Sequence, residues 1–142
     1  MFNRAILKYF GFCHDVGAAT RTERGLVLPF GAERLSIDAI RPDIVRLAIS
    51  RQGQLPDRLT PAVSAPLPVP PPFDITATAS SVIFAAAQIR LRIDRSACTM
   101  EASRVEGARL FGTARDADLG SLCYGTMNDE FIVVRERSDD DL

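Results

Sequence analysis

The strongest constraint on the fold is an alternation of apolar and polar residues that recurs along the chain. It is clearest at 88–94, where Ile89, Leu91 and Ile93 point to one side of an extended strand and polar residues to the other. Two further segments follow the pattern, 33–40 with inward Leu35, Ile37 and Ala39, and 44–51 with inward Val45, Leu47 and Ile49. Each segment is therefore predicted to be a strand with one face on a core.

Turn signals join these segments. Arg41-Pro42-Asp43 separates the strands at 33–40 and 44–51, and proline and aspartate favour a turn, so a hairpin is predicted there. Glu106-Gly107 predicts a second tight turn, because glycine accepts a positive φ. The run 82–87 ends in alanines but begins with β-favouring residues, so we predict a strand rather than a helix. Further strands are predicted at Leu26–Phe30, Phe73–Thr76, Ser81–Ala87, Thr99–Arg104, Arg109–Ala114 and Phe131–Arg137.

Many short strands with regularly spaced turns predict an all-β fold, an antiparallel β-sandwich that forms a single domain over residues 1–142. Seven of the nine prolines lie between Pro56 and Pro72, and proline cannot donate a ladder hydrogen bond in a central strand. We therefore predict an extended surface connector between two sheets at 56–72. The alternative is a ligand for a module with an aromatic groove.

The length of 142 residues bounds the function. A (β/α)8 barrel needs about 250 residues, so an enzyme of that architecture does not fit in this chain. The longest apolar run, Val82–Ala87, is too short to cross a membrane, and the start of the chain lacks a secretory signal. A cytoplasmic location without membrane contact is expected. The 17 basic and 18 acidic residues are interleaved, so nucleic-acid binding is not expected.

The three cysteines, Cys13, Cys98 and Cys123, are an odd number, lie far apart and form no CxxC pair. We interpret them as buried free thiols, because neither a disulfide framework nor a zinc site is indicated.

Three groups of residues have side chains of the types that catalytic or metal sites use. Cys13-His14-Asp15 has the residue types of a catalytic triad, but adjacent residues rarely converge on one site. Asp116-Ala117-Asp118 and Asp139-Asp140-Asp141 lack the spacing of a calcium loop, so a solvated loop and tail explain them more simply. No catalytic residue, metal ligand or cofactor is therefore predicted from the sequence.

The order of several segments resembles the N-terminal β-sandwich of glycoside hydrolase family 31, the α-glucosidase and α-xylosidase family. The similarity covers most of the chain from about Leu26. It is carried by Glu33–Ile37, Arg41–Ile49, Ser81–Phe84, Ile89–Asp94, Cys98–Ala102, Glu106–Leu110 and Phe131–Leu142. The last segment resembles the stretch that precedes the Tyr-Gly-Leu-Gly-Glu motif of that family.

The resemblance implies a galactose mutarotase-like sandwich that was excised from a longer enzyme. That parent would hydrolyse α-linked glycosides with two barrel aspartates, one as nucleophile and one as acid and base. Neither aspartate motif occurs here, so the isolated domain is expected to be non-catalytic, with the parent's catalytic barrel as its partner. The alternatives are a stand-alone carbohydrate-binding module and a protein-interaction module. Self-association of the isolated domain is expected, because apolar surface that normally packs on the barrel would be exposed.

Overall fold

A computed structural model describes residues 10–12, 15–50, 67–112, 122–127 and 130–136, with side chains in 15–50 and 67–112. All regular elements in these residues are strands, and no helix in this part of the chain is long and apolar enough to cross a membrane. The strands are β1 (Phe10–Phe12), β2 (Thr20–Arg21), β3 (Gly25–Phe30), β4 (Glu33–Arg41), β5 (Ile44–Ser50), β6 (Phe73–Ala77), β7 (Ser81–Ala86), β8 (Ile89–Asp94), β9 (Met100–Arg104), β10 (Arg109–Gly112), β11 (Leu122–Met127) and β12 (Glu130–Glu136).

Two of the sheets are meanders in which consecutive strands pair antiparallel. The first has the order β2-β3-β4-β5 and the second the order β6-β7-β8-β9-β10. Hairpins therefore make every neighbour contact within these two sheets. A third, smaller sheet has the order β1-β11-β12 and joins a strand near the start of the chain to two strands near its end.

The alternating residues of the two meanders form one shared core, which confirms the predicted antiparallel β-sandwich. The four-stranded sheet contributes buried side chains from β3 and β4, and the five-stranded sheet contributes them from β7, β8 and β9. Burial of such apolar side chains is the main stabilising contribution to a fold of this size. The core comprises Val16, Leu26, Leu28, Phe30, Leu35, Ile37, Ala39, Val82, Phe84, Ala86, Leu91, Ile93, Cys98, Met100 and Ala102.

Both predicted turns are present. Ile44 pairs with Arg41 across the first hairpin, with a register shift between Ala39 and Arg41. In the second, Gly107 has a φ of 108°, and the Arg104 N–H donates to the carbonyl oxygen of Ala108 at 2.7 Å. The run that ends in alanines is strand β7, so the preference for a strand over a helix was correct.

The predicted strands agree with the structure to within a residue or two, except that residues 51, 113, 114 and 137 of the predicted strands lie outside the described residues. Strands β1, β2 and β11 were not predicted. The connector is described only from Leu67 to Pro72, where it has no regular structure. It runs between β5 of one meander and β6 of the other.

The interpretation of the cysteines as free thiols is wrong for Cys98. This residue is fully buried in the core and is disulfide-bonded. The number and spacing of the cysteines did not predict this disulfide, because they carry no information about which backbone segments lie close together in the fold.

Candidate functional site

Most residues of the three candidate catalytic or metal-binding groups lie outside the described part of the chain. Cys13, His14, Asp116, Asp118 and Asp139–Asp141 all fall there. Asp15 is described, and its backbone N–H donates to the carbonyl oxygen of Ser96 at 3.1 Å. Within the described residues, no group of three or more His, Cys, Asp or Glu could hold a metal ion.

An apolar cleft lies between the edge strands β5 and β10. Its volume is about 230 Å³, and we refer to it as the open edge. Exposed and half-buried apolar side chains of both edge strands form its walls, and buried and half-buried residues of β8 and β9 form its floor. The lining residues are Asp43, Ile44, Val45, Leu47, Ile89, Leu91, Ala102, Leu110 and Phe111.

The open edge forms because the five-stranded sheet does not fully cover the edge strand β5 of the four-stranded sheet. Leu47 lies opposite Ile37 in the β4–β5 register and therefore on the core-facing side of the sheet. Ile37 is fully buried, whereas Leu47 is 38% exposed. The prediction that Leu47 points inward was correct in direction, but the opposing sheet leaves this edge strand partly uncovered.

A β-bulge makes the other wall. The β9–β10 register shifts between Arg109 and Phe111, which permits the adjacent residues Leu110 and Phe111 to line the same cleft. Phe111 is 40% exposed. The consecutive pair Leu-Phe breaks the polar–apolar alternation of a half-buried strand, and this was the one sequence signal that could have identified the cleft.

Backbone hydrogen bonds fix the turns beside the open edge. The Gln88 N–H donates to the carbonyl oxygen of Pro42 at 3.0 Å, and the Val105 N–H donates to that of Gln88 at 3.2 Å. The β4–β5, β7–β8 and β9–β10 turns are thereby linked. The cleft is therefore bordered by a preformed rim, which lowers the entropic cost of binding a partner there.

The opposite side of the sandwich, between β2 and β6, is closed by side chains. The guanidinium carbon of Arg21 lies 4.3 Å from the centroid of the Phe73 ring, and Arg21 Nη2 donates to the Phe73 carbonyl oxygen at 3.3 Å. The Phe73 ring in turn packs against buried Phe84, with centroids 5.3 Å apart. Arg24 Nη2 donates to the carbonyl oxygen of Pro68 at 2.7 Å, which holds the end of the connector on this closed edge.

The outer face of the five-stranded sheet is polar. Arg92 and Glu101 lie opposite each other in the β8–β9 register, and with Arg109 they line a shallow cleft of about 220 Å³. Such a surface offers hydrogen-bond donors and acceptors to a polar ligand.

The fold defined by these features is an antiparallel sandwich of two meanders. No protein-family model and no curated protein matches the chain. Among solved structures, it is similar to a cycloalternan-forming enzyme from Listeria monocytogenes in complex with a pentasaccharide substrate. It is equally similar to an uncharacterized protein from Listeria monocytogenes EGD-e, which was also solved with α-D-glucose, β-D-glucose, magnesium and calcium.

Each of these matches has a TM-score of 0.61 and 16% sequence identity, and each covers 81% of this chain. At this identity the similarity concerns the fold. The chain corresponds to only 10% of the length of each matched structure.

Proposed function

We propose that this chain is a non-catalytic β-sandwich domain of a larger, α-glucosidase-like glycoside hydrolase. The observation that carries the proposal is the fold match, because four fifths of this chain corresponds to a tenth of an oligosaccharide-processing enzyme. The ordered resemblance of the seven segments between Glu33 and Leu142 to glycoside hydrolase family 31 points in the same direction. The parent enzyme would act on α-linked sugars, and its catalytic carboxylates would lie on another domain.

The open edge is the surface through which the domain packs on the rest of that enzyme. Ile44, Leu47, Leu110 and Phe111 are large apolar side chains that are each at least 38% exposed. An apolar patch of this kind on a soluble domain is typical of an interface. The partner under this proposal is the catalytic barrel of the parent chain.

The gene sequence on the 3′ side of the Leu142 codon tests the proposal directly. We expect it to encode a barrel of glycoside hydrolase family 31. The barrel segment, co-expressed with this chain, should hydrolyse 4-nitrophenyl α-glucoside or α-xyloside, whereas this chain alone should not. A stop codon at this point, or hydrolysis by the isolated chain, would overturn the proposal.

The role of the open edge is tested by Leu47→Asp and Phe111→Asp, with Val69→Asp as the control. Val69 is 88% exposed in the connector and does not line the cleft. The isolated wild-type chain should self-associate through its open edge, and the two cleft variants should be monomeric in sedimentation velocity. Val69→Asp should behave as wild type. A wild-type chain that stays monomeric at about 100 μM, where a dimer with a Kd of that order would be well populated, would contradict this role.

A carbohydrate-binding module is the second candidate, and the polar cleft at Arg92, Glu101 and Arg109 is the observation that favours it. Titration calorimetry with maltose, isomaltose and xylosides separates the two candidates. The proposal of a non-catalytic packing domain predicts no heat of binding. Heat that is lost in Arg92→Ala and Glu101→Ala would favour the carbohydrate-binding function instead.

A further inference from the structure

A disulfide joins the sandwich core to one corner of the small sheet. Cys98 is fully buried in the core and is disulfide-bonded. The chain has two other cysteines, Cys13 and Cys123, so one of them is its partner. Phe12 and Cys123 lie opposite each other in the β1–β11 register, and Cys13 directly follows Phe12 in the sequence. Both candidates therefore belong to the same corner of the small sheet, and this corner is attached to Cys98 whichever of them is bonded.

Hydrogen bonds hold the segment 15–17, which follows β1, against the turn between β8 and β9. The Val16 N–H donates to the carbonyl oxygen of Arg95 at 2.8 Å. In the other direction, Arg95 Nη1 donates to the carbonyl oxygen of Gly17 at 3.0 Å. Cys98 follows this turn directly, so the hydrogen bonds and the disulfide connect the same two regions of the molecule.

No β-ladder attaches the small sheet to the sandwich among the described strands. The small sheet has the order β1-β11-β12, and none of these strands pairs with a strand of either meander. Its attachment therefore depends on contacts of other kinds, and the disulfide is a covalent one. We propose that this disulfide is a redox-sensitive fastening: on reduction, β11 and β12 loosen from the sandwich while the two meanders keep their shared core.

The sandwich is expected to stay folded after reduction because its core does not depend on the small sheet. Apart from Val16 and Cys98, the described core side chains all come from the two meanders. These strands pair through hairpins that the disulfide does not cross. Reduction therefore removes a link between the sandwich and the small sheet, and it leaves the packing between the meanders in place.

The reaction is a two-electron exchange between thiols and a disulfide. When the bond forms, the Cys98 thiol and its partner thiol lose two protons and two electrons, and a disulfide oxidant such as oxidised glutathione takes them up and becomes two thiols. On reduction, a dithiol such as dithiothreitol supplies them and forms its own cyclic disulfide. Disulfides persist in oxidising compartments and are rare in the cytoplasm, so the fastening favours an oxidising compartment over the cytoplasmic location expected from the sequence.

Peptide mapping tests whether the fastening exists, because trypsin leaves each cysteine in a different peptide: 9–21, 96–104 and 116–135. The full chain is equilibrated with oxidised glutathione, alkylated with iodoacetamide and digested without reduction. We expect peptide 96–104 to be linked to one of the other two peptides, and this link identifies the partner cysteine. An alkylated peptide 96–104 without a link would overturn the proposal.

Hydrogen exchange measured by mass spectrometry tests the loosening. The full chain is compared in its oxidised form and after complete reduction with dithiothreitol. Backbone amides of β11 and β12 should exchange at least about tenfold faster after reduction, whereas those of β7 and β8 should keep their rates. Unchanged exchange in β11 and β12 would contradict the proposal. An equal acceleration in β7 and β8 would also contradict it, because the bond would then stabilise the whole molecule rather than fasten the small sheet.

Cysteine variants repeat the exchange measurement without a reductant. Cys98→Ser should show fast exchange in β11 and β12 and no further response to dithiothreitol. Of Cys13→Ser and Cys123→Ser, the variant that lacks the mapped partner should behave in the same way. The other is the matched control and should keep both the wild-type exchange and the wild-type response to dithiothreitol. If the control loses protection as well, or if the partner variant keeps it, the disulfide does not fasten the small sheet.

Discussion

The two long sides of the sandwich differ in how their apolar side chains are covered. On the closed edge, Arg21 covers Phe73, Phe73 packs on Phe84, and Arg24 holds the connector at Pro68. On the open edge, the bulge in β10 and the uncovered strand β5 expose apolar side chains around a cleft. The apolar side chains of the closed edge are therefore covered by residues of this chain. Those of the open edge are exposed, as is typical of a surface that binds a partner.

The difference shows that a residue's face and its burial are separate properties. Ile37 and Leu47 are cross-strand partners on the same face of one sheet, yet only Ile37 is fully buried. The position of the strand in the sheet explains the difference in burial. The opposing sheet covers the side chains of a central strand, whereas those of an edge strand are buried only if another element packs beside it. The closed edge uses an arginine and an aromatic ring as that cover.

The largest expected effect comes from truncating one phenylalanine on each side. Phe84→Ala removes a fully buried ring and should lower the free energy of unfolding by about 3–5 kcal/mol. Phe111→Ala at the open edge should cost less than about 1 kcal/mol in the monomer, because its ring is already 40% exposed. Urea denaturation measures both. An equal loss of unfolding free energy in the two variants would mean that the side chains at the open edge are as well packed as those at the closed edge.

A smaller effect is expected from the turn that holds β2 on the closed edge. Gly25 N–H donates to Thr22 Oγ1 at 3.0 Å, and Thr22 N–H donates to the Gly25 carbonyl oxygen at 2.9 Å. A Cβ at Gly25 would overlap the carbonyl oxygen of Ile37, so Gly25→Ala should cost about 2–3 kcal/mol.

The control for that substitution is Gly31→Ala. A Cβ there meets open space, and the only cost, about 1 kcal/mol, arises from a φ of 56°. Thermal unfolding of both variants gives the comparison. If Gly25→Ala lowers the stability no more than Gly31→Ala does, β3 and β4 can move apart at that point without a loss of stability, and the packing beside the closed edge is less tight than the structure shows.

The smallest effect is expected at the cation–π contact. Arg21→Ala should lower the free energy of unfolding by about 0.5–1 kcal/mol, the usual range for such a contact at an exposed site. Arg90→Ala removes an exposed arginine on the outer face of β8 and serves as the control, with no measurable change expected. Denaturation at matched ionic strength measures both. A loss of similar size in the two variants would show that Arg21 does not close its edge.

The sequence predicted most strands of the two meanders, because alternation and turn residues are local signals. Pro42 and Gly107 define hairpins without reference to distant residues, and the inward sets of β4 and β8 follow from their period of two. Strand β2 was missed because it has only two residues, Thr20 and Arg21, too few for any periodicity. Its position depends on tertiary contacts instead.

The candidate site and the disulfide were missed for a related reason. The exposure of Leu47 depends on where the opposing sheet ends, and the bond at Cys98 depends on two segments that are far apart in sequence. Neither property can be predicted from a short stretch of neighbouring residues. The pair Leu110-Phe111 is the exception, because its broken alternation is visible in the sequence itself.

The order of strands has a consequence for how the molecule can be divided. Each meander is continuous in sequence, with β2–β5 before the connector and β6–β10 after it, and the shared core is the surface along which they meet. A backbone cut within the connector would leave every hairpin intact, and the two fragments would meet through the shared core and through the pairing of β1 with β11. Such halves are suited to a split reporter, in which reassembly of the core brings two fused fragments together.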